Sequence, residues 1–252
     1  MAYYDLSKEE RNAVVAEMSA TILAEINCNN YKLIYNYFGT IDTYIRKNAY
    51  IIIGKLFLQN IHLQYKIILL LEVLLKEELY YIRQTVINSA GEIGKQNFEI
   101  VQHFFDTGLF DKHHAPRNAV IGSIKKMGEV NPKPVLDWSK KYLHHPDKEI
   151  RREICHGIEL RGRKYPEDIL PLLKELEHDQ TARVRNTLVH VLGQIAYKKG
   201  CLAKVLAELK TWENKQLVAD AIEEIIDVHH RYRNFSYITQ EEAIQFINKS
   251  NI

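Results

Sequence analysis

The feature that most constrains this fold is a phrase that returns every 34 residues. "RQTVINSAGEIG" starts at Arg83, "RNAVIGSIKKMG" at Arg117, "RREICHGIELRG" at Arg151 and "RNTLVHVLGQIA" at Arg185, each start 34 residues after the last. Upstream, "RKNAYIIIGKLF" at Arg46 lies 37 residues before Arg83, and "RNAVVAEMSATI" at Arg11 lies 35 before that. One further step downstream reaches Ala219 in "ADAIEEIIDVHH", which keeps the apolar pattern without the arginine. A fixed period of this length marks a stack of like units.

Aliphatic positions fall three, seven and usually ten residues after each start: Val86, Ala90 and Ile93; Val120, Ile124 and Met127; Leu188, Leu192 and Ile195. Spacings of three and four place these side chains on one face of an α-helix. A small residue often follows, as in Gly91, Gly94, Gly128, Gly162 and Gly193. Glycine there either admits a neighbouring helix closely or ends its own helix in a left-handed cap. A second amphipathic segment fills each interval, from Gln96, Pro132, Tyr165 and Cys201. The turns carry helix-start residues, namely Asp147, Asp179, Thr181 and Pro166. One such pair of helices cannot bury its apolar face alone, so neighbours must stack. The expected fold is therefore all-α, a right-handed α-α superhelix of about six to seven helix pairs. Capping helices are expected over 1–40, the repeat array over 41–230, and a C-terminal cap or tail over 231–252, all in one continuous solenoid domain.

The phrase of a turn acid, then Val or Ile with Arg, then an apolar helix ending in Gly-x-Ile, as in "HDQTARVRNTLVHVLGQIA" and "EELYYIRQTVINSAGEIG", resembles the HEAT repeat of the short bacterial type. The resemblance covers roughly residues 41 to 230 and implies a solenoid, without implying an activity. Tetratricopeptide and ankyrin signatures are absent from the sequence. Lys and Arg number 34 against 32 Asp and Glu, a formal charge of +2, so any basic surface has to be local. Three dispersed cysteines, Cys28, Cys155 and Cys201, suit reduced thiols, and the charged start "MAYYDLSKEERNAVVAEM" lacks a secretory pattern. The expected location is the cytoplasm. The most apolar run, Ile67 to Leu75, is nine residues long and contains Glu72, well short of the roughly 20 residues needed to span a bilayer.

Arg46, Arg83, Arg117, Arg151 and Arg185 form a column in fixed register. In HEAT-like arrays such a residue packs along the stack and pairs with a turn acid of its own or the next unit, here Asp147, Asp179 or Glu78. The exposed stripe one, five and nine places after each start is the better candidate for binding. It holds Gln84, Asn88 and Glu92; Asn118 and Lys126; Arg152 and His156; Asn186, His190 and Gln194; then Asp220 and Glu224. Its middle section is rich in Asn, His, Arg and Lys, which suits an acidic protein segment or a phosphate backbone. The histidine doublets His113/His114, His144/His145 and His229/His230 sit near expected turns, where solvated histidines are common. His156 and His190 occupy equivalent places in successive units, and a helix spacing of about 10 Å would keep them from sharing an ion. No metal site and no cofactor are expected. Neither a phosphate-cradling Gly-Lys frame nor a nucleophile elbow is present.

The run from His145 to Gly200 is similar in cadence to the C-terminal half of the HEAT-like alkylpurine DNA glycosylases, solenoids that hold a damaged duplex against a concave face. That family brings concave-face tryptophans together with a carboxylate. This chain has Trp138 and Trp212, with Asp137 beside the first. Adjacent helical residues point about 100° apart, so Asp137 and Trp138 do not make such a pocket by themselves. The expected function is a non-catalytic scaffold binding a partner protein on its concave stripe, and the alternative is a DNA-binding protein of the glycosylase type.

Overall fold

The computed structural model describes residues 3–250, and its regular structure there is helical throughout. The chain divides into two compact units, residues 1–130 and 131–252. In the first lie α1 (Lys8–Cys28), α2 (Lys32–Gly39), α3 (Thr43–Gln59), α4 (Gln64–Leu74), α5 (Tyr80–Gly94), α6 (Phe98–Gly108) and α7 (His114–Val130). In the second lie α8 (Pro132–Lys140), α9 (Lys148–Gly157), α10 (Glu159–Gly162), α11 (Leu170–Lys174), α12 (Ala182–Ala196), α13 (Cys201–Leu209), α14 (Lys215–Arg231) and α15 (Gln240–Lys249). None of these helices is long and apolar enough to cross a membrane.

The arginine-headed phrases fall in α1, α3, α5 and α7 in the first unit and in α9 with α10 and α12 in the second, where the Ala219 phrase falls in α14. Within each unit these first helices pack side by side, α3 on α5 on α7, and α9 on α12 on α14. The second helices lie against them, α6 touching both α5 and α7, and α13 touching α12. This is the layered helix-pair stack of an α-solenoid. The apolar positions at three, seven and ten places are all buried, from Val86, Ala90 and Ile93 to Leu188, Leu192 and Ile195. Second helices contribute the large aromatics, with Phe98, Phe104 and Phe105 all at 1% exposure or less. Burying each such side chain contributes roughly 1.5–3 kcal/mol.

Helix starts follow local chemistry. The Asp42 carboxylate accepts from the Tyr44 amide at 2.8 Å to open α3, and Asp147 does the same for the Glu149 amide at 2.8 Å at the head of α9. Ser7 with Glu10, and Thr239 with Glu242, form reciprocal capping boxes on α1 and α15. Asp179 behaves differently from a cap: it accepts from the Thr181 amide at 2.8 Å and turns its carboxylate toward the neighbouring repeat. Pro166 opens a 3-10 turn, Pro166–Asp168, before the short α11.

Several helix glycines serve close approach. A Cβ on Gly91 would lie 2.4 Å from Ser123 Oγ, and one on Gly193 would lie 2.7 Å from Glu224 Cγ. Positive φ angles occur among the described residues at Asn29 and at Gly200, which precedes α13. Neither belongs to the repeated glycine column.

Candidate functional site

The arginine column is tied into the backbone and into neighbouring turns. Arg83 grips Asp111 with two parallel bonds, Nε to Oδ2 at 2.6 Å and Nη2 to Oδ1 at 2.9 Å, and also donates to the Glu77 and Glu78 carbonyls. Arg151 repeats the arrangement on Asp179, at 2.5 and 3.1 Å, and donates to the His145 and Pro146 carbonyls. Each acid lies 28 residues beyond its arginine, so the pair joins one repeat to the next. Burial alone would raise the Asp179 pKa, but the Arg151 bonds and the Thr181 amide outweigh it and hold it below the ordinary value. Asp111 is held low by the same balance. Arg46 donates to the Thr40 carbonyl at 2.5 Å and lies over the Tyr81 ring, 4.4 Å from its centroid. Arg117 and Arg185 donate to the Asp111 and Asp179 carbonyls, at 2.7 and 2.9 Å. Asp111 carries no turn signature visible in the sequence, whereas its equivalent Asp179 does. Asp147 caps a helix, and Glu78 meets Lys112 at 2.7 Å.

In the first unit, Asn118 and Lys126 are exposed on α7. Lys126 lies 3.6 Å from Glu92 and 5.4 Å from the centre of the Tyr50 ring. In the second unit, Arg152 and His156 from α9 meet Asn186 and His190 from α12 around one hollow of about 430 Å³. Arg183 and Thr187 complete its wall. Every one of these six side chains can donate a hydrogen bond. The repeat alignment did not single out Arg183 and Thr187, although each lies three residues before a stripe position, 186 and 190, on the same helix face. Acids temper the arginines: Glu149 lies 2.9 Å from Arg152 and 3.2 Å from Arg183.

Gln194 departs from the exposed stripe. It is 2% exposed, and its Oε1 accepts from Arg163 Nη2 at 2.6 Å. The final turn of α12 runs into the core at residues 191–197, which carries position nine inward with it. His229 likewise departs from the solvated reading of the doublets, since it is fully buried on α14 with Nδ1 against the Ile225 carbonyl. Burial holds its pKa below the ordinary histidine value. His113 and His145 do belong to turns, where each Nδ1 accepts a backbone amide two residues on, at 3.1 Å.

His156 and His190 lie closer together than equivalent places in successive repeats suggest. Their ring centroids are 5.9 Å apart, well inside the helix spacing expected from sequence, because both side chains lean into the gap between α9 and α12. Glu159 stands between them. It is 1% exposed, with Oε2 at 3.2 Å from His156 Nε2 and Oε1 paired with Arg163. On the far side, His190 Nδ1 lies 3.6 Å from Glu224. Burial is the main cause that holds the His190 pKa low, opposed by Glu159 and assisted by His156.

Trp138 and Trp212 are each 1% exposed and belong to the core, so neither offers a ring to a flipped base. Cys155 is fully buried, and burial pushes its thiol pKa far upward, away from nucleophile chemistry.

No protein-family model matches the chain, and no curated protein does. Among solved structures, AlkD2 from Streptococcus mutans superposes with a TM-score of 0.56 at 18% identity, covering 75% of this chain and 93% of that one. The protein smu.31 from Streptococcus mutans UA159 gives a TM-score of 0.47 at 18% identity, covering 83% and 96%. The first likeness establishes the fold, a HEAT-like helical repeat shared with AlkD2.

Proposed function

We propose that this chain is a DNA-binding HEAT-like protein that holds a duplex by its phosphate backbone and does not excise bases through a tryptophan cage. The observation that carries this reading is the hollow between α9 and α12, lined by Arg152, His156, Arg183, Asn186, Thr187 and His190, side chains that all carry donor groups. Phosphate oxygens are acceptors only, and convergent neutral and cationic donors are what positions a backbone. The shared fold with AlkD2 and the cadence of residues 145–200 support the same reading. The burial of Trp138 and Trp212 argues against the base pocket that the resemblance to the glycosylases would imply.

One observation favours a partner protein instead. Beside the donor hollow, Asp220, Glu223, Glu224 and Asp227 of α14 crowd a second hollow of about 560 Å³, which would repel phosphates and suit a basic protein segment.

A salt-titrated gel shift with a duplex separates the two. Backbone binding predicts an affinity that falls steeply with salt, and the double change Arg152→Ala/Arg183→Ala should flatten the log–log slope by about 2, since each lost phosphate contact removes about 0.9. Absence of binding at low salt would end the DNA reading and leave the basic-partner scaffold. No base should be released from an alkylated duplex in the same tubes.

A further inference from the structure

The eighth place after the arginine is a close-packing position in three repeats. Gly54, Gly91 and Gly193 occupy it, and a Cβ at any of them would lie 2.4 to 2.7 Å from the next repeat: from Glu92, Ser123 and Glu224 respectively. The α9–α10 repeat puts Glu159 at this place, and α9 breaks at Ile158 just before it. A carboxylate, 1% exposed, takes the place where three other repeats have glycine and the Arg117 repeat has Lys125. Burying a charge is costly unless other groups compensate it, and here Arg163 pairs with one carboxylate oxygen while His156 faces the other. By register, Gly193 faces Glu224 at the fifth place of the next unit. Glu159 correspondingly faces His190, the fifth place of α12, while His156 comes from the fifth place of α9 itself.

We infer that His156, Glu159 and His190 form a site for one divalent transition-metal ion of the zinc class, with a coordination position left open to the donor hollow. One donor atom from each residue lies within 4.8 Å of the other two. A tetrahedral zinc with ligands at about 2.0–2.1 Å needs its donors roughly 3.4 Å apart. His156 Nε2 and Glu159 Oε2 already meet that spacing at 3.2 Å, and a modest rotation of the His190 ring would bring in the third.

The surroundings match what such sites require. A metal-bound imidazole usually gives its other N–H to a carboxylate, and His190 Nδ1 has Glu224 at 3.6 Å. This leaves Nε2 of His190 as the ligand. The Glu159 carboxylate is anchored through its other oxygen by Arg163, which Gln194 holds in turn at 2.6 Å. Two imidazoles and one carboxylate suit zinc and its neighbours, whereas calcium and magnesium take oxygen shells. The site shares His156 and His190 with the donor hollow, but the inference does not rest on DNA binding, and its test contains no DNA.

Full-length protein stripped with chelator should take up one Zn²⁺ per chain in calorimetry. Co²⁺ in its place should give the visible absorption of a tetrahedral N/O site. His156→Ala and His190→Ala, both half-exposed positions, should each weaken binding by more than about 100-fold, and Glu224→Gln by about 10- to 100-fold, the range for loss of an outer partner. Zn²⁺ should also raise the melting temperature of the wild type and not that of His190→Ala. Circular dichroism checks that each variant keeps its helices, which matters most for the buried Glu159→Gln. Lack of saturable one-to-one uptake would overturn the site. Equal uptake by wild type and both histidine variants would overturn it as well, by placing the ion elsewhere.

Discussion

Arg151 and Arg185 occupy the same place in successive repeats, yet their surroundings give them different weights. Arg151 makes two bonds to the carboxylate of Asp179 and two more to carbonyls, with 16% and 5% of the two side chains exposed. Arg185 is placed by one bond to the Asp179 carbonyl. Removing one member of a buried pair leaves the other charge stranded, which costs about 3 kcal/mol or more. In a domain of this size about 3 kcal/mol corresponds to roughly 6–12 °C. Arg151→Ala should therefore melt about 6–12 °C below wild type, while Arg185→Ala, losing one ordinary hydrogen bond of about 1 kcal/mol, should fall by only a few degrees. Thermal unfolding by circular dichroism checks this, and equal losses would show that the ion pair adds nothing beyond the shared backbone contact. The column was legible because arginine recurs at a fixed interval. Asp111 was not, because a partner 28 residues away is selected by how two turns meet in space.

At the scale of an element, the repeat works through what each helix face presents to the next. Gly91 in α5 and Gly122 in α7 hold the eighth and fifth places of their repeats. A methyl group on Gly91 would meet Ser123 Oγ at 2.4 Å and its Cβ at 2.7 Å, whereas one on Gly122 would meet nothing within 4 Å. Gly91→Ala should cost about 1–3 kcal/mol by overpacking, and Gly122→Ala should add about 0.5–1 kcal/mol of helix stability. Urea denaturation of the two variants reads the opposite signs directly. The same logic explains why the candidate site was only half visible. Arg152, His156, Asn186 and His190 sit at stripe positions that periodicity identifies. Glu159 sits at a position where three of the repeats carry glycine, and Gln194 turns inward because the end of α12 is buried on all sides.

For the whole molecule, the repeat-joining carboxylates predict acid sensitivity. Asp111 and Asp179 both have folded pKa values below the ordinary 3.8. A carboxylate whose pKa is depressed on folding contributes stability that is fully present above the unfolded value and is lost as pH falls through the folded one. The melting temperature should accordingly drop below about pH 4, and Asp111→Asn/Asp179→Asn should start lower at neutral pH and lose less on acidification. A melting series from pH 6 to pH 2 checks both limbs. The amino-acid sequence by itself determined the helix-pair architecture, the period and the buried faces, because helical periodicity and a fixed repeat length are local properties that every unit states again. Tertiary structure alone decided which side chains meet: Arg83 with Asp111, Gln194 with Arg163, and His156 with Glu159 and His190. Those meetings depend on the angle and closeness at which neighbouring helices pack, and a period along the chain carries no measure of either.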